Sequence, residues 1–173
     1  EEEKLLLERN IEADAGGKKK SPHSLGGVLK DHRVWMMSAI YFCFVMGQYG
    51  LTFWMPTLVK ATGVKGNFIT GLLSAIPFLV AVVTMILCGR SADRHRERRW
   101  HLVIPAFCGA VGFVVAALTA NNTAIAITFL SLAAAGVLTC APLFWSLPTS
   151  FLRGSAAAAG IAAVNSIGNL AGF

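Results

Sequence analysis

Residues 66–99 read GNFITGLLSAIPFLVAVVTMILCGRSADRHRERR, and the fold class follows from the contrast between the two parts of this segment. Its first part, 66–89, contains no Asp, Glu, Lys or Arg, whereas its last ten residues, 90–99, hold five arginines. An apolar run of about 18 residues or more can cross a bilayer as a helix, which satisfies its backbone hydrogen bonds internally. The segment therefore predicts a membrane-spanning helix followed by a compact basic loop.

Uncharged runs of the same kind lie on both sides, at 34–59, 102–152 and 154–173. The run 102–152 is too long for one crossing, and its polar cluster Asn121-Asn122-Thr123 predicts a turn that divides it. We therefore predict an all-α, polytopic membrane helix bundle. Its five predicted spans are about 34–57, 68–89, 102–120, 124–150 and 155–173. Pro56, just after Trp54, is expected to stop the first helix.

The polar segment 1–33 is predicted to form a separate region before the transmembrane bundle 34–173. Residues 1–13 predict a short amphipathic helix, and residues 16–22 predict a flexible basic linker. The chain does not open on Met, and it stops at Phe173 without a polar flank. We therefore expect a fragment of a longer protein.

Composition excludes an ordinary soluble domain, since 55% of the residues are hydrophobic and the mean hydropathy is +0.61. A net charge of +6 would suggest a nucleic-acid partner in a soluble protein. Here the positive charge flanks membrane spans, so topology explains it and no nucleic-acid partner is predicted. The cysteines lie in apolar runs without metal or redox spacing, and we predict structural roles for them. They are Cys43, Cys88, Cys108 and Cys140.

The distribution of basic residues predicts the orientation. Thirteen of the fifteen Lys and Arg lie in three places: before the first span, in the loop 90–99, and at position 153. The other two lie within 60–65. Lys and Arg collect on the cytoplasmic side of membrane proteins. We therefore predict that the N-terminus and the loop 90–99 are cytoplasmic, while the turns at 60–65 and 121–123 face outward.

No catalytic arrangement is present in the sequence. His95 and His101 flank the arginines without a carboxylate or thiol at ligand spacing, so we interpret both as loop-surface residues. Serines lack a paired His and Asp, and there is no phosphate-binding Gly-Lys motif. We predict a protein that is not an enzyme and that uses no metal or other cofactor. The spans also contain no Asp or Glu that could take up a coupling proton.

The pattern Gly89-x-x-Ala92-Asp93-Arg94-x-x-x-Arg98-Arg99 resembles the signature of the major facilitator superfamily. In that family Gly-x-x-x-Asp-Arg-x-x-Arg joins helices 2 and 3 and recurs, weakened, between helices 8 and 9. One extra residue before the final arginine pair makes this the looser copy. We expect Gly89 to allow close approach at the helix end, and Asp93 to pair with an arginine or cap a helix. The resemblance implies a conformational-switch loop containing Gly89, Asp93, Arg94 and Arg98.

Three further segments resemble helices 7, 10 and 11 of anion–cation symporters, most closely the bacterial tartrate-type transporters. They are YGLTFWMPT at 49–57, FWSLPT at 144–149 and NSIGN at 165–169. The resemblance covers essentially the whole chain, with residues 1–20 as the end of a central cytoplasmic loop. It implies helices 7 to 11 of a twelve-helix fold in a bacterial inner membrane, with helix 11 truncated and helix 12 absent.

The resemblance also implies a substrate site at mid-membrane, between two six-helix halves that rock to alternate access. The candidate substrate-binding residues are Gln48, Tyr49, Trp145 and Asn165. An amide and an indole N–H suit carboxylate and hydroxyl groups as neutral donors. The alternatives are an interfacial aromatic role for Trp145 and interhelical hydrogen bonds for Gln48 and Asn165.

Asn165 and Asn169 interrupt a fifth span made mostly of Ala and Gly. Two amides facing lipid would be costly, so this helix is expected to lie deep in the bundle. Asn169, one turn after Asn165 and expected on a similar face, is the natural control for mere packing.

These observations favour a secondary active transporter, with proton-coupled uptake of a small organic anion such as tartrate or a related hydroxy acid. The predicted protein acts as a monomer in the lipid bilayer, and its proton-titrating residues would lie in an N-terminal half. One alternative is a drug or metabolite exporter of the same superfamily, which would tend to have more aromatic and fewer amide groups in helix 11. Another is a non-transporting membrane scaffold or enzyme subunit.

Overall fold

The computed structural model describes residues 4–5, 30–148 and 154–173, with side chains of the last range described from 157 onward. These residues form five helices and, within the described ranges, no strand, which confirms the all-α prediction. The helices are α1 His32–Ala61, α2 Asn67–His95, α3 Arg99–Leu118, α4 Thr123–Phe144 and α5 Gly154–Asn169. A 3₁₀ turn over Leu170–Gly172 follows α5. The predicted helix at 1–13 and linker at 16–22 lie outside the described residues, apart from positions 4 and 5.

Four of the described helices, α1 to α4, are long and apolar enough to cross a membrane. Short turns join them, so consecutive helices run in opposite directions. Asp31 caps α1 and Asn122 caps α4, with side-chain oxygens that accept backbone N–H bonds at 2.9 and 3.2 Å. Gly66 precedes α2 with φ +95°, and Arg96 ends α2 in the left-handed region with φ +52°.

Pro56 does not stop the first helix, contrary to the prediction. α1 continues to Ala61, with Pro56 exposed on its surface. A proline inside a helix removes one backbone hydrogen bond and costs roughly 3 kcal/mol. Leu51, Met55 and Val59 lie four residues apart and are all fully buried. The same stripe of α1 therefore packs into the core before and after the proline, and this packing maintains the helix through it.

α4 is the central helix of the bundle. It packs against α1, α2 and α3, while α5 packs on α1. Ala133, Ala134, Cys140 and Phe144 of α4 are completely buried, which is consistent with this position. The end of α4 therefore has two neighbours. One is α1, on which α5 packs, and the other is the loop that joins α2 to α3.

Glycines bring α3 and α4 into backbone contact. A Cβ on Gly112 would lie 2.5 Å from the Ala133 amide nitrogen, closer than real Cβ atoms approach. A Cβ on Gly136 would likewise overlap the backbones of Pro105 and Gly109. Small residues allow such close approach between membrane helices. Any larger residue at these two glycines would force α3 and α4 apart.

Two thiols satisfy carbonyl groups near a proline in α3. Pro105 has no N–H to donate to the His101 carbonyl, four residues earlier. Cys88 Sγ donates to that carbonyl oxygen at 3.6 Å, and Cys140 Sγ donates to the Leu102 carbonyl oxygen at 3.6 Å. These contacts connect α2 and α4 to the first turn of α3. They give two of the four free cysteines the structural role that was predicted.

Candidate functional site

Two of the predicted substrate residues are connected by a third polar residue. Tyr49 Oη on α1 donates to Asn169 Oδ1 on α5 at 3.4 Å. Asn169 Nδ2 in turn donates to the Asn165 carbonyl oxygen at 2.8 Å and to Asn165 Oδ1 at 2.9 Å. The structure thus brings Tyr49 and Asn165 into one hydrogen-bonded chain. Asn169, which lies on a similar face to Asn165 as expected, is the residue that connects them, so it is not a control for packing alone.

Asn165 is exposed on the surface of the described bundle, whereas Asn169 and Tyr49 are half-buried. Within the described residues, then, the two amides on this helix differ in exposure, and the expectation that the helix lies deep in the bundle stays a prediction for the longer protein. Because its Oδ1 accepts from Asn169, the Asn165 Nδ2 group points away from that bond. Within the described residues this Nδ2 has no hydrogen-bond acceptor. It presents two N–H donors on an oriented, accessible amide, as recognition of a carboxylate or hydroxyl oxygen requires.

Trp145 lies in an aromatic cluster at the end of α4. Its ring meets the Tyr41 ring edge-on with centroids 4.8 Å apart, and the Phe144 ring at 5.5 Å. Tyr41 also stacks on Phe144 at 5.1 Å. Trp145 is half-buried and forms the C-cap of α4, where a turn begins. Neighbouring rings therefore hold Trp145 in place. An isolated aromatic at a membrane interface would lack these ring contacts.

Tyr41 was missed by the sequence reasoning, although it joins this cluster to α5. A Cβ on Gly168 would overlap the Tyr41 ring, and one on Gly172 would lie 2.5 Å from the Tyr49 ring. Two tyrosines of α1 thus fill the spaces left by a glycine of α5 and a glycine of the following 3₁₀ turn. The available signal was the spacing Gly168-x-x-x-Gly172, which indicates close packing without identifying its partner. Trp145 contacts Tyr41, and Tyr41 packs on Gly168, the residue before Asn169. Tyr41 therefore connects Trp145 to the part of α5 that carries Asn169.

In the described part of the chain, Gln48 makes no side-chain hydrogen bond to another predicted site residue. Its side chain is half-buried, and within the described residues it makes no hydrogen bond, so the interhelical bond considered for it is not observed. Its carbonyl oxygen accepts a bond from Thr52 Oγ1 at 2.8 Å, which is a local contact within α1. Gln48 neighbours Tyr49 in sequence, but the structure does not connect it to Asn165 or Trp145.

The loop that resembles the superfamily signature contains an ion pair. Asp93 Oδ1 lies 3.7 Å from the Arg98 guanidinium, so Asp93 bridges the end of α2 and the residue before α3. The two side chains are 76% and 47% exposed, respectively, and such pairs stabilise proteins by only about 0–1 kcal/mol. Arg94 is exposed near the end of α2 and has no ion pair among the described residues.

Gly89 does not mediate close helix approach in the described structure, contrary to the prediction. A Cβ at this position would have no atom within 4 Å. The residue instead borders an open cleft of about 460 Å³ between α2 and the end of α4. Arg90, Asp93 and Arg98 line the cleft on one side, and Pro142 lies on the other.

Of the two histidines near this loop, His101 hydrogen-bonds across the turn between α2 and α3, whereas His95 hydrogen-bonds within α2. His101 Nδ1 lies 2.6 Å from the Glu97 carbonyl oxygen, and its Nε2 lies 2.9 Å from Ser91 Oγ. His95 Nδ1 lies 2.9 Å from the Ser91 carbonyl oxygen. Because carbonyl groups can only accept, each Nδ1 carries a hydrogen. His101 is half-buried and lies in the first turn of α3 instead of in the loop, whereas His95 is exposed as predicted.

Sequence comparison places these features in a known family. The family described as the Major Facilitator Superfamily matches the chain over residues 3–173. The chain belongs to the major facilitator superfamily. This membership confirms the resemblance based on the Arg-rich loop. It also agrees with a multi-pass membrane protein built from apolar helices.

Several curated members of the superfamily are similar to the chain over most of its length. A metabolite transport protein of Pseudomonas putida is 39% identical over 99% of the chain, and an Agrobacterium vitis protein named as a tartrate transporter is 39% identical over all of it. A quinolone resistance transporter of Acinetobacter baumannii is 34% identical over 84%. The chain spans 39%, 38% and 33% of these relatives' lengths, respectively. Because the relatives are named as transporters, the prediction of a non-enzyme is confirmed. No solved structure shows significant similarity.

Proposed function

We propose that the protein is a secondary active transporter for small organic anions, working by alternating access in a bacterial inner membrane. The observation that carries this proposal is the Asn165 amide. Asn169 Nδ2 donates to Asn165 Oδ1 at 2.9 Å, and the two N–H donors of Asn165 remain available on an exposed face of α5. Neutral N–H donors bind carboxylate and hydroxyl oxygens without requiring a buried positive charge.

Support for a hydroxy acid such as tartrate comes from relatives of similar identity. Two Agrobacterium vitis proteins named as tartrate transporters are 39% and 38% identical over the full chain. The polar chain of Tyr49, Asn169 and Asn165 provides several hydrogen-bonding groups on one face, which suits a ligand with hydroxyl as well as carboxylate oxygens. Within this site, Trp145 and Tyr41 contribute a rigid aromatic wall beside α5.

Proton coupling is part of the proposal, and it places a requirement on the rest of the protein. The predicted spans contain no Asp or Glu, so the proton must be taken up by groups outside them. We propose that these groups and a second half of the substrate site belong to an N-terminal half, as in two-half transporters. The N-terminus and the loop 90–99 face the cytoplasm in this arrangement, and a monomer is sufficient for transport.

Drug export is the second candidate function, favoured by the relative named as a quinolone resistance transporter. Transport into proteoliposomes distinguishes the two. We expect labelled tartrate to accumulate under an imposed pH gradient, to be lost when a protonophore is added, and to fall in Asn165→Ala. A fluoroquinolone should neither compete nor be transported. Fluoroquinolone transport without tartrate uptake would establish the exporter instead.

A further inference from the structure

The cleft at the Arg-rich end of α2 is not explained by the proposed substrate site. It has a volume of about 460 Å³ and lies between the last turns of α2 and the end of α4. The aromatic cluster and the polar chain, by contrast, lie between α1, α5 and the end of α4. The cleft opens at the point where an uncharged span meets the basic loop 90–99.

The lining of the cleft separates into an apolar and a polar part along the helix direction. Met85 and Ile86, within the uncharged part of α2, form an apolar wall with Pro142 and Leu143 of α4. Ile86 is 49% exposed, so this wall is open to the surroundings of the bundle. One to two turns further along α2, the lining becomes charged.

The charged rim is formed by Arg90, Asp93 and Arg98. Arg98 is paired with Asp93 at 3.7 Å, whereas Arg90 has no carboxylate partner among the described residues. The surrounding loop 90–99 holds five arginines against two carboxylates, so the rim carries excess positive charge. An apolar wall inside the span next to a cationic rim at its end matches an amphiphile with a negatively charged head.

We propose that this cleft binds an anionic phospholipid. The Arg90 and Arg98 guanidinium groups donate hydrogen bonds to the headgroup phosphate, and an acyl chain lies along Ile86 and Leu143. Arg suits this role because its planar fork of donors matches a phosphate group. Basic pockets between transmembrane helices on the cytoplasmic side are recognised sites for such headgroups. A small hydroxy acid has no apolar part that would use the wall, so the cleft fits a lipid better than the transported anion.

Native mass spectrometry of the detergent-solubilised protein tests this proposal. The protein is incubated with equal amounts of phosphatidylglycerol, which is anionic, and phosphatidylcholine, which is zwitterionic. We expect retained phosphatidylglycerol to exceed phosphatidylcholine. Each arginine near an anionic lipid changes the affinity roughly fivefold, so Arg90→Gln should lower phosphatidylglycerol affinity by about that factor. Arg96→Gln is the matched control, since Arg96 is exposed on the same loop but does not line the cleft.

A second variant tests the apolar wall independently of charge. Ile86→Trp fills the cleft from an exposed position, so it should leave the fold intact and reduce retained phosphatidylglycerol at least as strongly as Arg90→Gln. Equal losses in Arg90→Gln and Arg96→Gln would show diffuse attraction to the loop and overturn the site. Equal retention of both lipids, full retention in Ile86→Trp, or no retained lipid in the unmodified protein would also overturn it. The last result would mean that another part of the protein covers the cleft.

Discussion

Asn169 donates two hydrogen bonds from one nitrogen to Asn165, to its carbonyl oxygen at 2.8 Å and to its side-chain oxygen at 2.9 Å. This relationship fixes the orientation of the Asn165 amide on the helix surface. It also makes the two asparagines a unit, so their effects on ligand binding should be coupled.

Asn165→Ala should weaken binding of the organic anion roughly 10- to 150-fold, because a hydrogen bond to a charged group contributes about 1.5–3 kcal/mol. Asn169→Ala removes the two hydrogen bonds that orient Asn165 and the acceptor of the Tyr49 hydroxyl, and should weaken binding about 2- to 12-fold. Isothermal titration calorimetry on the purified protein measures both. Tyr49→Phe removes the 3.4 Å bond to Asn169 and should weaken binding less than Asn165→Ala does. Unchanged affinity in well-folded Asn165→Ala would mean that the amide is structural and the proposed site is wrong.

Gly112→Ala should destabilise the bundle by roughly 1–3 kcal/mol or more, because the new methyl group overlaps the backbone of α4. The Cβ would lie 2.5 Å from the Ala133 nitrogen. Gly50→Ala is the matched control, since no atom lies within 4 Å of its Cβ position. Thermal unfolding in detergent compares the two. A Tm as low for Gly50→Ala as for Gly112→Ala would contradict a specific role for the α3–α4 contact, since Ala favours the helix over Gly at both positions.

Asp93→Asn should slow transport while leaving equilibrium binding of the anion within a few-fold. The carboxylate pairs with Arg98 at the end of the bundle and touches no residue of the proposed substrate site. Because both side chains are largely exposed, stability should change by less than about 1 kcal/mol. Uptake rates and binding constants measured on the same preparation separate these effects. A large loss of affinity with unchanged folding contradicts a switch role for Asp93.

The loop 90–99 should be accessible from the cytoplasm, and the turn at Asn122 from outside. The thirteen-to-two distribution of Lys and Arg motivates this orientation. Single cysteines at 96 and 122, in a background whose native thiols do not react, can be labelled with a membrane-impermeant reagent on intact cells. We expect labelling at 122 alone. Labelling at 96 and protection at 122 would reverse the topology.

Fold class was predictable because charge is nearly absent from the spans and turn-forming residues separate them. Asn122, for example, caps α4 with its side chain. The errors arose where distant residues decide the outcome. Pro56 is a local signal for a helix end, but the fully buried Met55 and Val59 keep α1 packed on both sides of it. Gly89 resembled a packing glycine, yet no atom lies close to it in the described structure.

The candidate site was predictable as a set of residue types, but its connections were not. Tyr49 and Asn165 are polar groups in apolar helices, which is a signal visible in one sequence. That Asn169 links them depends on how α1 and α5 face each other across 120 residues of chain. Tyr41 is a tyrosine in the same apolar helix as Tyr49, so residue type alone does not single it out, and its importance comes from its contacts with Trp145 and Gly168.

The fit of Tyr41 and Tyr49 against Gly168 and Gly172 limits how α1 and α5 can move relative to each other. Sliding α5 by one residue would bring Ile167 or Asn169 under the Tyr41 ring, where the structure has room only for hydrogen. Each tyrosine ring occupies the space beside one glycine, and the two contacts together oppose sliding of α5 along α1. A relative displacement of α1 and α5 along this contact would therefore first have to separate the tyrosine rings from the two glycines.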